Sequence, residues 1–165
     1  MRGLPCVLFV IAVLGGTTRE PRFDDFPCTI DEHPPAVTAE LVTRSQRRFR
    51  TVIREGALRD IDFAGHFAVV EWGCGTGCLQ MAIVDRRSGT VYDGPFGDSG
   101  RSYLEVGGNP DDDKTGIFFR PDSALMILRG CPENKHSGTY YFLWAGMRFR
   151  LLRRVPMDAP VGCDS

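Results

Sequence analysis

The sequence carries little net charge and no long hydrophobic run. Its 165 residues hold 20 lysine and arginine residues against 21 aspartate and glutamate residues, a formal net charge of −1. A balance so close to zero creates no overall attraction to nucleic acid or to an anionic membrane. The longest apolar stretch, residues 4–14, is interrupted by Pro5 and is about half as long as the roughly 20 residues of a membrane-spanning helix. We therefore expect no nucleic-acid partner and no membrane span in the mature protein.

Internal repeats are also missing. No period of about 20–50 residues recurs convincingly, which excludes a solenoid or a propeller. Apolar residues make up 42% of the chain and charged residues 25%, which is ordinary for a globular protein. The length suits one domain.

The first residues have the pattern of a secretory signal peptide. Met1-Arg2-Gly3 gives a short positive start, residues 4–14 are apolar, and residues 15–18 are small. This order is typical of a cleaved leader. We predict a signal peptide at residues 1–17 and a periplasmic or secreted mature protein. The alternative is a misassigned start codon on a cytosolic protein.

The rest of the chain divides into three segments. Residues 18–36 are rich in proline and acidic residues and are interpreted as an extended arm lying on the domain. Residues 37–155 form the predicted single α+β domain, and residues 156–165 an irregular tail.

A single amphipathic helix of about 17 residues is predicted at the start of the domain. Thr38 is the expected N-cap, Val37 and Val42 the expected hydrophobic staple, and Gly56 the expected stop. Apolar residues recur on one face at helical spacing, and arginines occupy the other face. The apolar set includes Leu41, Val42, Phe49, Val52 and Ile53, and the basic set is Arg44, Arg47, Arg48, Arg50 and Arg54.

Several β-rich runs follow. Residues 67–74 and 78–85 flank Gly75-Thr76-Gly77, which predicts a hairpin with a three-residue loop. Further strands are expected at residues 90–92, 103–106, 117–119, 124–129, 139–144 and 147–153. Strands with tight turns after one helix predict a disulfide-supported α+β fold, with the N-terminal amphipathic helix packed on a mainly antiparallel sheet.

The cysteines agree with export. Loss of Cys6 with the leader leaves Cys28, Cys74, Cys78, Cys131 and Cys163. Five cysteines in a short exported chain indicate two disulfides and one spare thiol. Directly opposed residues of a hairpin have Cα atoms about 4.5–5.5 Å apart, a distance that a disulfide spans.

We therefore predict a bond between Cys74 and Cys78, favour a second bond between Cys28 and Cys131, and leave Cys163 as the spare thiol. A redox-active pair is one alternative, although the spacing is not that of thioredoxin-like motifs. Another alternative is a zinc site that adds His66, or Cys131 with His136, to the hairpin cysteines. An oxidising compartment favours disulfides over thiolate ligands, so we predict no metal and no cofactor.

His66, Glu71 and Asp98 are the weak candidates for catalysis. A histidine at the start of a strand is more often a hydrogen-bonded structural residue, and no nucleophile signature accompanies this one. Strand alternation turns Glu71 toward the side of Phe67 and Val69, with Met81 opposite. A carboxylate there needs an ion pair, which we favour, or lines a cavity.

Two charged segments each have both a structural and a functional interpretation. Residues 111–113 are three aspartates without the spacing of a calcium loop, which favours a solvated acidic turn. The arginine face, with Arg148, Arg150, Arg153 and Arg154 near the end of the chain, is either solvated or binds a phosphate-rich polymer or surface. No aromatic interleaving supports nucleic-acid binding.

The block from Gly65-His66-Phe67 to Trp72-Gly73-Cys74-Gly75-Thr76-Gly77-Cys78 is the most distinctive in the sequence. It resembles a group of uncharacterised exported bacterial proteins with a Gly-His-aromatic start before a Trp-Gly-Cys-Gly-X-X-Cys hairpin. The resemblance covers roughly residues 60–152 and implies a common fold. It implies no activity.

The absence of a recognisable catalytic set favours a non-catalytic exported domain that binds or inhibits an envelope or extracellular protein or polymer, or has a structural envelope role. The alternative is a small envelope hydrolase with a site around His66, Glu71 and the loop between Cys74 and Cys78.

Overall fold

The computed structural model describes residues 19–32, 37–75, 78–95, 102–103, 116–132 and 136–156. The predicted signal peptide, Asp98, residues 111–113 and Cys163 lie outside these ranges. Within these ranges, a 3-10 turn (Phe23–Asp25) and two short α-helices precede eight strands. The helices are α1 (Arg44–Arg48) and α2 (Arg50–Gly56), and the strands are β1 (Phe67–Gly75), β2 (Cys78–Asp85), β3 (Val91–Asp93), β4 (Ser102–Tyr103), β5 (Gly116–Phe119), β6 (Leu125–Pro132), β7 (Gly138–Trp144) and β8 (Phe149–Pro156).

All strand pairs are antiparallel and belong to one hydrogen-bonded network. A first ladder contains β1, β2 and β3, and a second ladder contains β5, β6, β7 and β8. The two-residue strand β4 joins them, because it pairs with the start of β2 and with the end of β6. The expectation of a mainly antiparallel sheet is therefore confirmed.

The core has two parts, one on each face of the first ladder. The larger cluster fills the space between the two ladders, with Phe67 and Ile83 from one side meeting Met126 and Phe142 from the other. The smaller cluster lies between the first ladder and the helices. Both faces of β1 are thus covered along residues 67–70, as its apolar residues on both faces suggested.

The prediction of one long N-terminal amphipathic helix is wrong. Thr43, not Thr38, is the N-cap: its hydroxyl accepts a hydrogen bond from the backbone N–H of Gln46, at 3.1 Å, and the Gln46 side chain accepts from Thr43 N in return. Residues 37–42 lie outside the helix, and Glu40 among them forms a parallel β-bridge with Thr90. Phe49 leaves helical geometry, with φ −104° and ψ 25°, and divides the helix in two. The fold is therefore sheet-rich with short helices.

No disulfide joins two of the described side chains, so the expectation of a disulfide-supported fold finds no support in them. Cys28 is the one cysteine whose side chain is described, and it is disulfide-bonded to a sulfur outside that part of the chain. The predicted bond between Cys28 and Cys131 stays a prediction.

Residues 19–32 run along the domain in mostly extended form. Cys28 donates its backbone N–H to Asp122 O, at 2.7 Å, and Pro27 forms a bridge to Ser123. The Ser123 hydroxyl donates to Phe23 O, also at 2.7 Å. The segment is therefore held by backbone groups of the turn before β6. No helix in the described part of the chain is long and apolar enough to cross a membrane.

Candidate functional site

The two helices carry five exposed arginines, which together we call the arginine surface. All of its guanidinium-bearing side chains are exposed. Residues 41–54 contain no acidic residue, and within the described ranges none of these arginines forms an ion pair. Among the described residues, no carboxylate pairs with the positive charge of this surface. It consists of Arg44, Arg47, Arg48, Arg50 and Arg54.

The opposite side of the helices attaches this surface to a rigid base. Ile53 is fully buried against the first ladder, and Ala57 is buried beside it. A Cβ placed on Gly56 would overlap the side chain of Val70, so only glycine permits such a close approach of α2 to β1. The Gln46 side chain is buried and donates to Val91 O, at 3.3 Å. The sheet thus determines the direction in which the arginines point.

An aromatic stack orients one of the arginines. The Arg48 guanidinium lies 5.5 Å from the centre of the Phe49 ring, within cation–π range. Phe49 in turn packs on Trp72, with ring centres 5.0 Å apart. The Trp72 indole N–H donates to the Gln80 side chain at 2.8 Å, which holds the indole in place. The three stacked groups preorganise the middle of the arginine surface.

Two exposed aliphatic side chains flank the two helices in the sequence. Val42, just before α1, is 68% exposed, and Leu58, just after α2, is 70% exposed. The expected staple between Val37 and Val42 is therefore wrong, because the helix begins later and Val42 faces solvent.

The C-terminal arginines belong to a different surface. Arg150 lies in β8 and Arg148 precedes it, at the edge of the second ladder, whereas the helices pack on the first ladder. Arg154 lies over the Tyr140 ring at 5.6 Å, and Arg153 donates to Arg19 O at 3.3 Å. The fold does not merge the two arginine sets into one patch.

His66 is half-buried in the turn before β1, with its ring 4.1 Å from that of Phe67. Burial and the charge of Arg87 lower the pKa of His66, while Asp85 and Asp31 act in the opposite direction. Arg87 also pairs with Asp31 at 2.8 Å. His66 therefore lies in a structural cluster between the N-terminal segment and the turn after β2.

Glu71 lies in another cluster. It is opposite Met81, as strand alternation predicts, but its side chain is exposed and forms no ion pair with any described residue. Although Glu71 is at the surface, partial desolvation and the neighbouring Asp62 raise its pKa, while Arg59 opposes the rise. The favoured ion pair of Glu71 is therefore not found among the described residues, and His66 and Glu71 have different charged neighbours.

Asp62 is a residue that sequence analysis missed. Its carboxylate accepts the backbone N–H of Val69 at 2.8 Å and so covers the outer edge of β1. Burial raises the pKa of Asp62 to about 6. Nothing in the local pattern marked this residue, because its partner is a backbone group seven positions away.

The hairpin register differs from the expected one. Gly75 pairs with Cys78 and Gly73 with Leu79, with a register shift between them, so Cys74 lies at a bulge and not opposite Cys78. The side chains of Cys74, Cys78 and Cys131 lie outside the described part, and the disulfide between Cys74 and Cys78 stays a prediction. Among the described residues no group of three or more His, Cys, Asp or Glu side chains could hold a metal ion.

Comparisons with family models, with curated proteins and with solved structures found no match to this chain.

Proposed function

We propose that this chain is an exported, non-catalytic domain that binds an anionic partner in the periplasm or outside the cell through the arginine surface. The observation that carries the proposal is the set of five exposed arginines, none of which forms an ion pair with a described residue, on helices that pack on the sheet. Arginine presents several N–H donors in a planar fork that matches carboxylate and phosphate groups. Export rests on the leader-like first residues.

The alternative, a hydrolase around His66 and Glu71, has weaker support. General acid–base catalysis needs its groups within reach of one substrate. The charged neighbours of His66 are Arg87, Asp85 and Asp31, whereas those of Glu71 are Asp62 and Arg59. The binding function is therefore favoured.

Two double variants with the same change in charge test the proposal. Arg47→Ser with Arg50→Ser removes charge from the arginine surface, and Arg148→Ser with Arg150→Ser removes the same charge elsewhere from exposed positions. Binding to immobilised polyglutamate is measured by surface plasmon resonance at several salt concentrations. We expect the first variant to weaken binding about 5–10-fold, and the second by less than about twofold.

Equal losses in the two variants would show that only net charge matters, and would contradict the proposal. So would wild-type binding that does not weaken as salt is added, because an exposed charge interaction must be screened.

A further inference from the structure

We propose that the arginine surface recognises an acidic face of a protein that also has apolar recesses for Val42 and Leu58. This inference rests on the proposed function and names the class of its partner. It depends on two observations. Val42 and Leu58, on either side of the helices, are exposed, whereas the Phe49 ring and the apolar face of α2 are already packed against other residues.

The exposed aliphatic side chains favour a protein partner. Val42 and Leu58 are 68% and 70% exposed, and covering an aliphatic side chain stabilises a complex through the hydrophobic effect. A chain of phosphates or carboxylates offers mainly charged groups and cannot cover them. A protein surface can supply both carboxylates and apolar recesses, and arginine is enriched where proteins meet.

Nucleic acid is the less suitable partner because the aromatic faces are occupied. Single strands bind without sequence preference by stacking bases on exposed aromatic rings. Here the Phe49 ring lies between the Arg48 guanidinium and Trp72. The stack orients the arginine and leaves no open platform at this point of the surface.

A lipid surface is also less suitable. A helix that lies in a membrane interface buries its apolar face among the lipids. In α2 that face is already used, since Ile53 is fully buried and Ala57 is 1% exposed against the first ladder. The exposed residues of the two helices are the five arginines together with the polar Ser45, Thr51 and Glu55.

The test uses the full chain and four probes: a glutamate–leucine copolymer peptide, a glutamate homopolymer of the same length, inorganic polyphosphate, and phosphatidylglycerol vesicles. We expect the copolymer to bind about fivefold tighter than the homopolymer. Val42→Ser with Leu58→Ser should abolish that preference and leave homopolymer binding within about twofold. The matched control is Met147→Ser with Leu151→Ser, which changes two other exposed apolar residues, 74% and 51% exposed, and should keep the preference.

Equal binding of copolymer and homopolymer would overturn this inference, as would tightest binding to polyphosphate or to the vesicles. The proposed function would survive either result if Arg47→Ser with Arg50→Ser still weakened binding. If that variant binds every probe as wild type does, the proposed function fails as well.

Discussion

At the scale of single residues, Asp62 shows how an ordinary turn residue acquires an unusual environment. Its carboxylate covers a backbone N–H at the edge of β1, a position where an open strand would otherwise present unpaired donors. The same location removes the carboxylate from water, with Glu71 nearby and Arg59 as the opposing charge. Asp62 should therefore link stability to pH.

Burial raises the pKa of Asp62 from 3.8 to about 6. A carboxyl group with a raised folded-state pKa contributes stability that is fully present below its unfolded pKa and is lost as the pH rises through the folded value. Asp62→Asn keeps an oxygen acceptor for Val69 and removes the titration. Relative to wild type, we expect this variant to gain about 1–2 kcal/mol in the free energy of unfolding between about pH 4 and about pH 7, after allowance for solvent screening.

Urea denaturation at the two pH values measures this difference. Asp60→Asn is the matched control, because Asp60 is exposed two positions away. Parallel pH curves for wild type and Asp62→Asn would show that the titration of Asp62 is not linked to folding.

At the scale of elements, the start of α1 shows why Thr43 and not Thr38 is the N-cap. Both Thr38 and Thr43 are chemically suitable N-caps. Gln46 decides between them, since it completes a capping box with Thr43 and its side chain also reaches Val91 and Asp93 in β3. The choice therefore depends on a strand about 45 residues further along the chain.

Replacement of the two threonines tests this boundary. Thr43→Ala removes the acceptor for Gln46 N and should lower the free energy of unfolding by about 1 kcal/mol. Thr38→Ala should change it by less than about 0.5 kcal/mol. Thermal and chemical denaturation of both variants measures the difference, and a larger loss for Thr38→Ala would place the helix start where the sequence alone suggested.

At the scale of the whole molecule, the first described residues are anchored to the domain. Arg19 forms an ion pair with Asp25, and the Tyr141 hydroxyl donates to Glu20 at 2.6 Å. Cleavage before Arg19 would leave these contacts intact.

We accordingly expect the mature protein to begin between Thr17 and Glu20 and to lie outside the cytoplasm. N-terminal sequencing after cell fractionation measures both properties. Val10→Asp places a charge in the apolar run and should block export. Full-length protein that starts at Met1 and stays in the cytosol would contradict the prediction.

Local sequence patterns determined much of the fold. The hairpins of β1 with β2 and of β7 with β8 lie close to the predicted strands, because alternation and tight turns are short-range signals. The five helix arginines are exposed, as arginines mostly are in any fold, so their exposure does not depend on the predicted long helix. The hairpins depend on residues within a few positions of one another.

Only the tertiary structure decided the rest. Four features arise from contacts between segments far apart in the chain. They are the break at Phe49, the joining of two ladders by β4, the separate clusters of His66 and Glu71, and the desolvation of Asp62. Burial and pairing of this kind depend on which surfaces meet after folding, and tertiary contacts override local propensity where the two disagree. The bulge at Cys74 is the smallest example, since a one-residue shift in pairing moved it away from the position opposite Cys78.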